Sequence, residues 1–180
     1  MEVIYNNKNN NNNNTQKITT SLKPFLTPVE ASFVPTVLYA GNPDLFYTLV
    51  MQDSNAVTES HNVLHWVIVN IPGNKVNSGK TLLNYMGPKP PPNSGIHNYC
   101  FLLYEQRGKI ESAPILERTI SMNDFFASFN GTTLKQVDKV CFTSTFQNGG
   151  ANTKSKRRKK AKRTKKSRAK KSKTMKCKRK

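Results

Sequence analysis

The chain has 180 residues and a formal net charge of +19, a length that suits one folded domain. The charge is not spread evenly: residues 154–180 hold 18 Lys or Arg and no acid, whereas residues 1–153 hold 11 basic and 10 acidic residues, a net of +1. No stretch approaches the ~18 apolar residues of a membrane-spanning helix, so the composition predicts a nearly neutral globular part joined to a polycationic tail.

Residues 6–14 are Asn except for Lys8. Such a tract buries nothing apolar and cannot offset the entropy of ordering, so residues 1–16 are predicted to be a disordered Asn-rich segment. The start of the chain also lacks the apolar core of a secretory signal. The folded domain is expected over residues 17–150. Within it, short runs rich in β-branched and aromatic residues at 33–39, 45–51, 63–71, 99–104 and 140–146 are bounded by Gly, Pro or Asn, and predict strands. The run Leu64-His65-Trp66-Val67-Ile68-Val69 is too apolar for simple alternation, which predicts a strand covered on both faces.

One segment reads as a helix: Ser121 supplies a cap, Asp124 follows three residues on, and Phe125, Phe126 and Phe129 supply an apolar face before Asn130-Gly131 stops it. The fold class is therefore mostly β, a two-sheet sandwich with one or two short helices. After Gly149-Gly150 the composition changes, and residues 153–180 are Lys, Arg, Ser, Thr and Ala, with Met175 and Cys177 the other apolar side chains. Like charges at this density repel, so residues 151–180 are predicted to be a disordered, extended basic tail.

Three cysteines, Cys100, Cys141 and Cys177, make an odd count without repeated spacing. This argues against a disulfide framework, and Cys100 and Cys141 read as small buried thiols in a reducing, intracellular setting.

Two stretches carry candidate chemistry. In the first, Asp53 ends an apolar run, and His65-Trp66 opens the next one, which leads into Asn70-Ile71-Pro72-Gly73. In the second, Gly87-Pro88-Lys89-Pro90-Pro91-Pro92-Asn93-Ser94-Gly95-Ile96-His97 runs into Tyr99 and Phe101-Leu102-Leu103-Tyr104-Glu105-Gln106. The prolines fix φ and stiffen the loop, and Gly87 and Gly95 permit turns or close backbone approach. His97 and Tyr99, two residues apart in a strand, share one sheet face. Two imidazoles and a phenol facing one cavity would donate hydrogen bonds to a phosphate or carboxylate, and Asp53 would fix a histidine tautomer or hold it protonated. His61 reads as a solvated loop residue and Trp66 as core.

These two stretches resemble the signature regions of the phosphatidylethanolamine-binding protein family. They cover about 55 residues, with weaker similarity over about 130. The resemblance implies a Greek-key β-sandwich, a surface pocket for phosphate-type head groups and other small anions, association with membrane lipid and regulation of signalling partners. Position by position, it implies ligand-binding roles for Asp53, His65, Pro91, His97 and Tyr99. It also exposes departures. Where the family usually reads Asp-Pro-Asp-x-Pro, this chain has Asp53, Ser54, Asn55, Ala56 and Val57; where the family usually has Arg after the second histidine, it has Asn98.

No cofactor or metal is expected, because no Cys, His or Asp spacing resembles a structural zinc site. No catalysis is expected either, since no motif supplies a nucleophile oriented by a base. The predicted function is a non-enzymatic binding protein, monomeric as a domain, that takes a phosphorylated head group or small anion and regulates a protein partner. The alternative is an interaction scaffold whose tail attaches it to nucleic acid or an acidic assembly such as a viral or chromatin particle. Anionic membrane and nuclear import are further destinations for such a tail, and the expected location is cytoplasmic or nuclear, or a virion if the source is a large DNA virus.

Overall fold

A computed structural model describes residues 1–9, 12–55, 62–112, 114, 116–129 and 131–147. The predicted basic tail and His61 lie outside the described residues. The compact unit is Met1–Asn148.

Among the described residues, nine strands form two sheets. A three-stranded sheet has the order β2-β1-β3, built from β1 (Glu2–Asn9), β2 (Asn12–Ile18) and β3 (Thr36–Leu38). The larger sheet contains β4 (Phe46–Asp53), β5 (Asn62–Pro72), β6 (Lys80–Leu83), β7 (Ile96–Gln106), β8 (Thr119–Ile120) and β9 (Leu134–Thr145). Its order is β6-β5-β4-β7-β9, and β8 pairs with the start of β5. Four of the five predicted apolar runs fall almost wholly on strands, and the run at 33–39 contributes only Thr36–Leu38, as β3. The short β6 and β8, and the polar first half of β9, carried no apolar signal. Among the described residues, no helix is long and apolar enough to cross a membrane.

The N-terminal expectation is corrected. Residues 1–16 were expected to be disordered, yet β1 and β2 form an antiparallel hairpin with Val3 opposite Ile18 and Tyr5 opposite Gln16. The reason is at the feet of the hairpin, where Val3, Tyr5 and Ile18 are buried. Alternation at Val3 and Tyr5 is the sequence signal that the Asn tract obscured.

The large sheet is covered on both faces. One face packs on the small sheet through Tyr47, Leu49, Met51, Trp66, Ile68, Tyr99, Phe101 and Phe142, against Val3, Tyr5, Ile18 and Val37. The other carries Val50, Leu64, Val67, Val69, Leu102 and Tyr104 against Ile110, Leu116, Phe125 and Phe129. That second layer includes the one described α-helix, α1 (Met122–Ala127), where Ser121 Oγ accepts from the Asp124 N–H at 3.0 Å and Gly131 follows with φ of 84°. Burial on both faces is why β5 reads as a continuous apolar run.

The cysteine expectation is also corrected. Cys100 in β7 and Cys141 in β9 are direct cross-strand partners, their Cα atoms are 4.1 Å apart, and they form a disulfide. The two residues are 41 positions apart, and only the pairing of β7 with β9 makes them neighbours. The argument for an intracellular setting from reduced thiols therefore lapses.

Candidate functional site

The site lies where β4 ends and β7 begins. The two strands pair antiparallel, with Asp53 directly opposite Tyr99. Because side chains alternate along a strand, Asp53 points to the same face as Met51 and Leu49, and His97 to the same face as Tyr99 and Phe101. Strand β5 supplies the fourth group by a different device. Met51 pairs with Trp66 but Gln52 pairs with Leu64, which leaves His65 as an extra residue in a β-bulge. The bulge re-aims its side chain toward Tyr99, with the two rings edge-to-face at 5.1 Å.

The four groups are brought together and buried: Asp53 and His65 are 2% exposed, His97 4% and Tyr99 0%. Asp53 Oδ2 accepts from His97 Nδ1 at 2.7 Å, and Asp53 Oδ1 accepts from the Asn55 N–H at 2.9 Å. The His97 ring lies nearly parallel to that of Tyr99, 6.4 Å away, and Tyr99 stacks in turn on Phe142. His65 Nδ1 donates to the Met86 carbonyl at 2.8 Å, and the Met86 N–H donates back to the His65 carbonyl. Burial lowers the His65 pKa below its usual value, against the pull of the Met86 carbonyl and the Asp53 carboxylate; nearby Arg118 adds to the lowering. Burial, with Asp53 nearby, also pushes the Tyr99 phenol up, so it stays a neutral donor. The Tyr99 hydroxyl makes no well-formed hydrogen bond of its own; the Asp53 carboxylate and the Lys89 backbone are the polar groups that bear on it.

The Pro-rich loop forms the outer wall. Gly87 lies so close to the turn at Ala31 that a Cβ there would sit 2.8 Å from the Ala31 carbonyl oxygen, which also accepts from Tyr85. Pro88 and Pro90 are buried, whereas Pro91 is exposed. The Pro91 carbonyl accepts from both the N–H and the hydroxyl of Ser94, at 3.3 and 2.7 Å. Surface hollows of about 560 and 360 Å³ lie elsewhere, beside Trp66, Val34 and Val76, and none of the five predicted site residues lines them.

Two residues beside the candidate site escaped the sequence reading. Ser94 Oγ stands 2.8 Å from His97 Nε2; the signal was a hydroxyl three residues before the histidine. Arg118 donates to the carbonyls of Leu64 and Asn84 at 3.1 and 3.0 Å, which clips the start of β5 to the loop. Asn55 stands where the family usually has a second Asp, and Asn98 where it usually has Arg. In the fold the two amides are partners, since Asn55 Oδ1 accepts from Asn98 N and Nδ2 at 2.9 and 2.7 Å, and Lys23 donates to Asn98 Oδ1. The signature residues Asn70 and Gln106 serve the scaffold instead. Asn70, at φ of 55° in a second bulge, exchanges side-chain and backbone bonds with Gln106 and Ile110.

A β-sandwich with a buried Asp–His pair, a second histidine and a tyrosine behind a Pro-rich loop defines a class of small binding domains. The sequence model for phosphatidylethanolamine-binding protein matches residues 30–143, and the chain belongs to that family. It is 36% identical over 89 residues to the putative odorant-binding protein A5 of Drosophila melanogaster, covering 47% of this chain and 42% of that protein. It is 37% identical over 112 residues to a 26 kDa secreted antigen of Toxocara canis, covering 60% of this chain and 42% of that protein. The chain spans about half the length of the relatives it matches. Solved structures agree on the fold. The phosphatidylethanolamine-binding protein of Plasmodium vivax superposes with a TM-score of 0.56 at 16% identity, over 81% of this chain and 85% of that one. The complex of carboxypeptidase Y inhibitor with its cognate proteinase gives 0.52 at 23% identity, over 72% and 80%.

Proposed function

We propose that this chain is a non-enzymatic binding protein in which Asp53, His65, His97 and Tyr99, with Pro91 at the rim, receive a phosphate-type head group or similar small anion. The observation that carries this reading is the orientation of His97. Asp53 accepts from Nδ1, so Nε2 faces the exposed Ser94 hydroxyl, the partner that a ligand would replace. Its neighbours Tyr99 and His65 supply a phenol and a second imidazole within ring contact. The four groups are nearly sealed, so entry requires the 91–95 segment to give way. Gly95, at φ of 82° with open space where a Cβ would stand, is a natural pivot.

Isothermal titration with inorganic phosphate and with phosphoethanolamine tests the reading. Weak binding is expected, strengthening as pH falls and His65 gains a proton, and lost in His97→Gln. Absence of heat with both ligands from about pH 5 to about pH 8 overturns it. Regulation of a protein partner belongs to the same proposal, supported by the structural neighbour that is complexed with a proteinase. A second reading rests on charge: 18 cations in residues 154–180 have the density of arms that hold polyanions, and nucleic acid is the partner it favours.

A further inference from the structure

Asp53, His97 and Ser94 form a hydrogen-bonded series that anion binding does not require. Asp53 Oδ2 lies 2.7 Å from His97 Nδ1, and His97 Nε2 lies 2.8 Å from Ser94 Oγ. The acid and the base are buried while the hydroxyl is exposed. The imidazole is held by its stacking on Tyr99 as well as by Asp53. This is the connectivity of a nucleophile, a base and a group that orients the base.

Proton accounting supports the same arrangement. The Ser94 hydroxyl has one proton and two acceptors within reach, the Pro91 carbonyl at 2.7 Å and His97 Nε2. The ionised Asp53 only accepts, so a neutral His97 carries its proton on Nδ1 and presents a lone pair at Nε2. The hydroxyl donates to the Pro91 carbonyl at 2.7 Å, and rotation about its Cβ–Oγ bond would redirect that hydrogen bond to Nε2 while the Pro91 carbonyl keeps the Ser94 N–H. The next residue, Gly95, has φ of 82°, and its N–H makes no hydrogen bond among the described residues. The N–H of the residue after a nucleophilic serine is a recurrent donor to the oxyanion of an acyl intermediate.

We propose that Ser94 is an activated nucleophile that accepts an acyl group from small electrophilic esters. Ser94 Oγ attacks the ester carbonyl carbon as its proton passes to His97 Nε2. The bond from that carbon to the alcohol oxygen then breaks, and Nε2 returns the proton to the departing oxygen. Ester and serine become acyl-serine and free alcohol, with no further reactant. The proposal concerns formation of the adduct, not turnover, and it stands apart from head-group binding although it shares the cleft.

The test is labelling of the full chain with an alkyl fluorophosphonate, which traps the same oxygen as a P–O bond forms and fluoride leaves. Peptide mapping by mass spectrometry locates the label. One label on the peptide containing Ser94 is expected, absent in Ser94→Ala, whose site is exposed and whose fold is checked by circular dichroism. In His97→Gln the rate should drop by about 10²–10⁴, the usual contribution of a positioned base. Asp53→Asn, which leaves the ring in place, should also slow it. An unlabelled Ser94 under conditions that fully label a reference serine esterase overturns the proposal. So does equal labelling in folded His97→Gln and Asp53→Asn. Labelling without phosphate binding would leave the nucleophile standing and the head-group reading to fail by itself.

Discussion

Asn55 Oδ1 accepts two hydrogen bonds from Asn98, one from its backbone N–H at 2.9 Å and one from its side-chain amide at 2.7 Å. The pair ties the turn after β4 to the first residues of β7, beside two bonds from Ser54 to the Asn98 carbonyl. It occupies the positions at which the family usually has Asp and Arg, so a neutral amide pair stands where an acid and a base usually do. Asn55→Ala should destabilise the domain by about 1–3 kcal/mol, two net hydrogen bonds at roughly 0.5–1.5 kcal/mol each. Asn98→Ala should cost less, because its backbone N–H still reaches Asn55. Urea unfolding of both single mutants and the double mutant measures the coupling. Additive losses would show that the amide contact holds nothing.

The second expectation concerns pH. Burial lowers the affinity of His65 for a proton, so the unfolded chain protonates first as pH falls. Stability is therefore complete above the unfolded value of about 6.5 and declines below it. Urea midpoints on either side of that value should fall with pH in the native protein, and the slope should flatten in His65→Asn. A His65 ring that titrates by NMR at or above about 6.5 contradicts this account.

The third expectation concerns the disulfide. Cys100 and Cys141 close a loop of 41 residues in sequence, which in the chain-entropy estimate is worth roughly 4 kcal/mol. Reduction, or Cys141→Ala, should lower the thermal midpoint and loosen β9 along the edge of the sheet. Thiol titration of the unfolded, unreduced protein should find one reactive cysteine, Cys177. Three reactive thiols in protein purified without reductant would show that the bridge does not form in solution.

The fourth expectation separates the two functional readings. Protein ending at residue 148 should keep the thermal midpoint of the full chain, since every buried side chain described lies before that point. The domain itself is nearly neutral and should bind DNA poorly. The full chain should bind DNA and RNA without sequence preference. If about 6–10 of its cations meet phosphates, affinity should drop by roughly 10³–10⁵ from about 50 to about 200 mM salt. Binding to anionic vesicles but not to nucleic acid would move the tail to a membrane role.

Much of this protein is determined by its sequence alone. The β5 run announces a strand covered on both faces because it is short, β-branched and bounded by Asn, Pro and Gly yet lacks polar alternation, and Ser121 with Asp124 marks the start of α1 because those side chains meet within one turn. His97 and Tyr99 share a face because a strand alternates. What depended on tertiary structure has one physical cause, which is pairing between segments far apart in sequence. Strand register sets Asp53 opposite Tyr99 and Cys100 opposite Cys141. A bulge of one residue, invisible in a hydrophobic pattern, turns His65 toward the tyrosine. The Asn-rich stretch joins a hairpin because Val3, Tyr5 and Ile18 find a sheet to pack on, and Ser94 becomes a partner of His97 only when the loop between them folds back on Pro91.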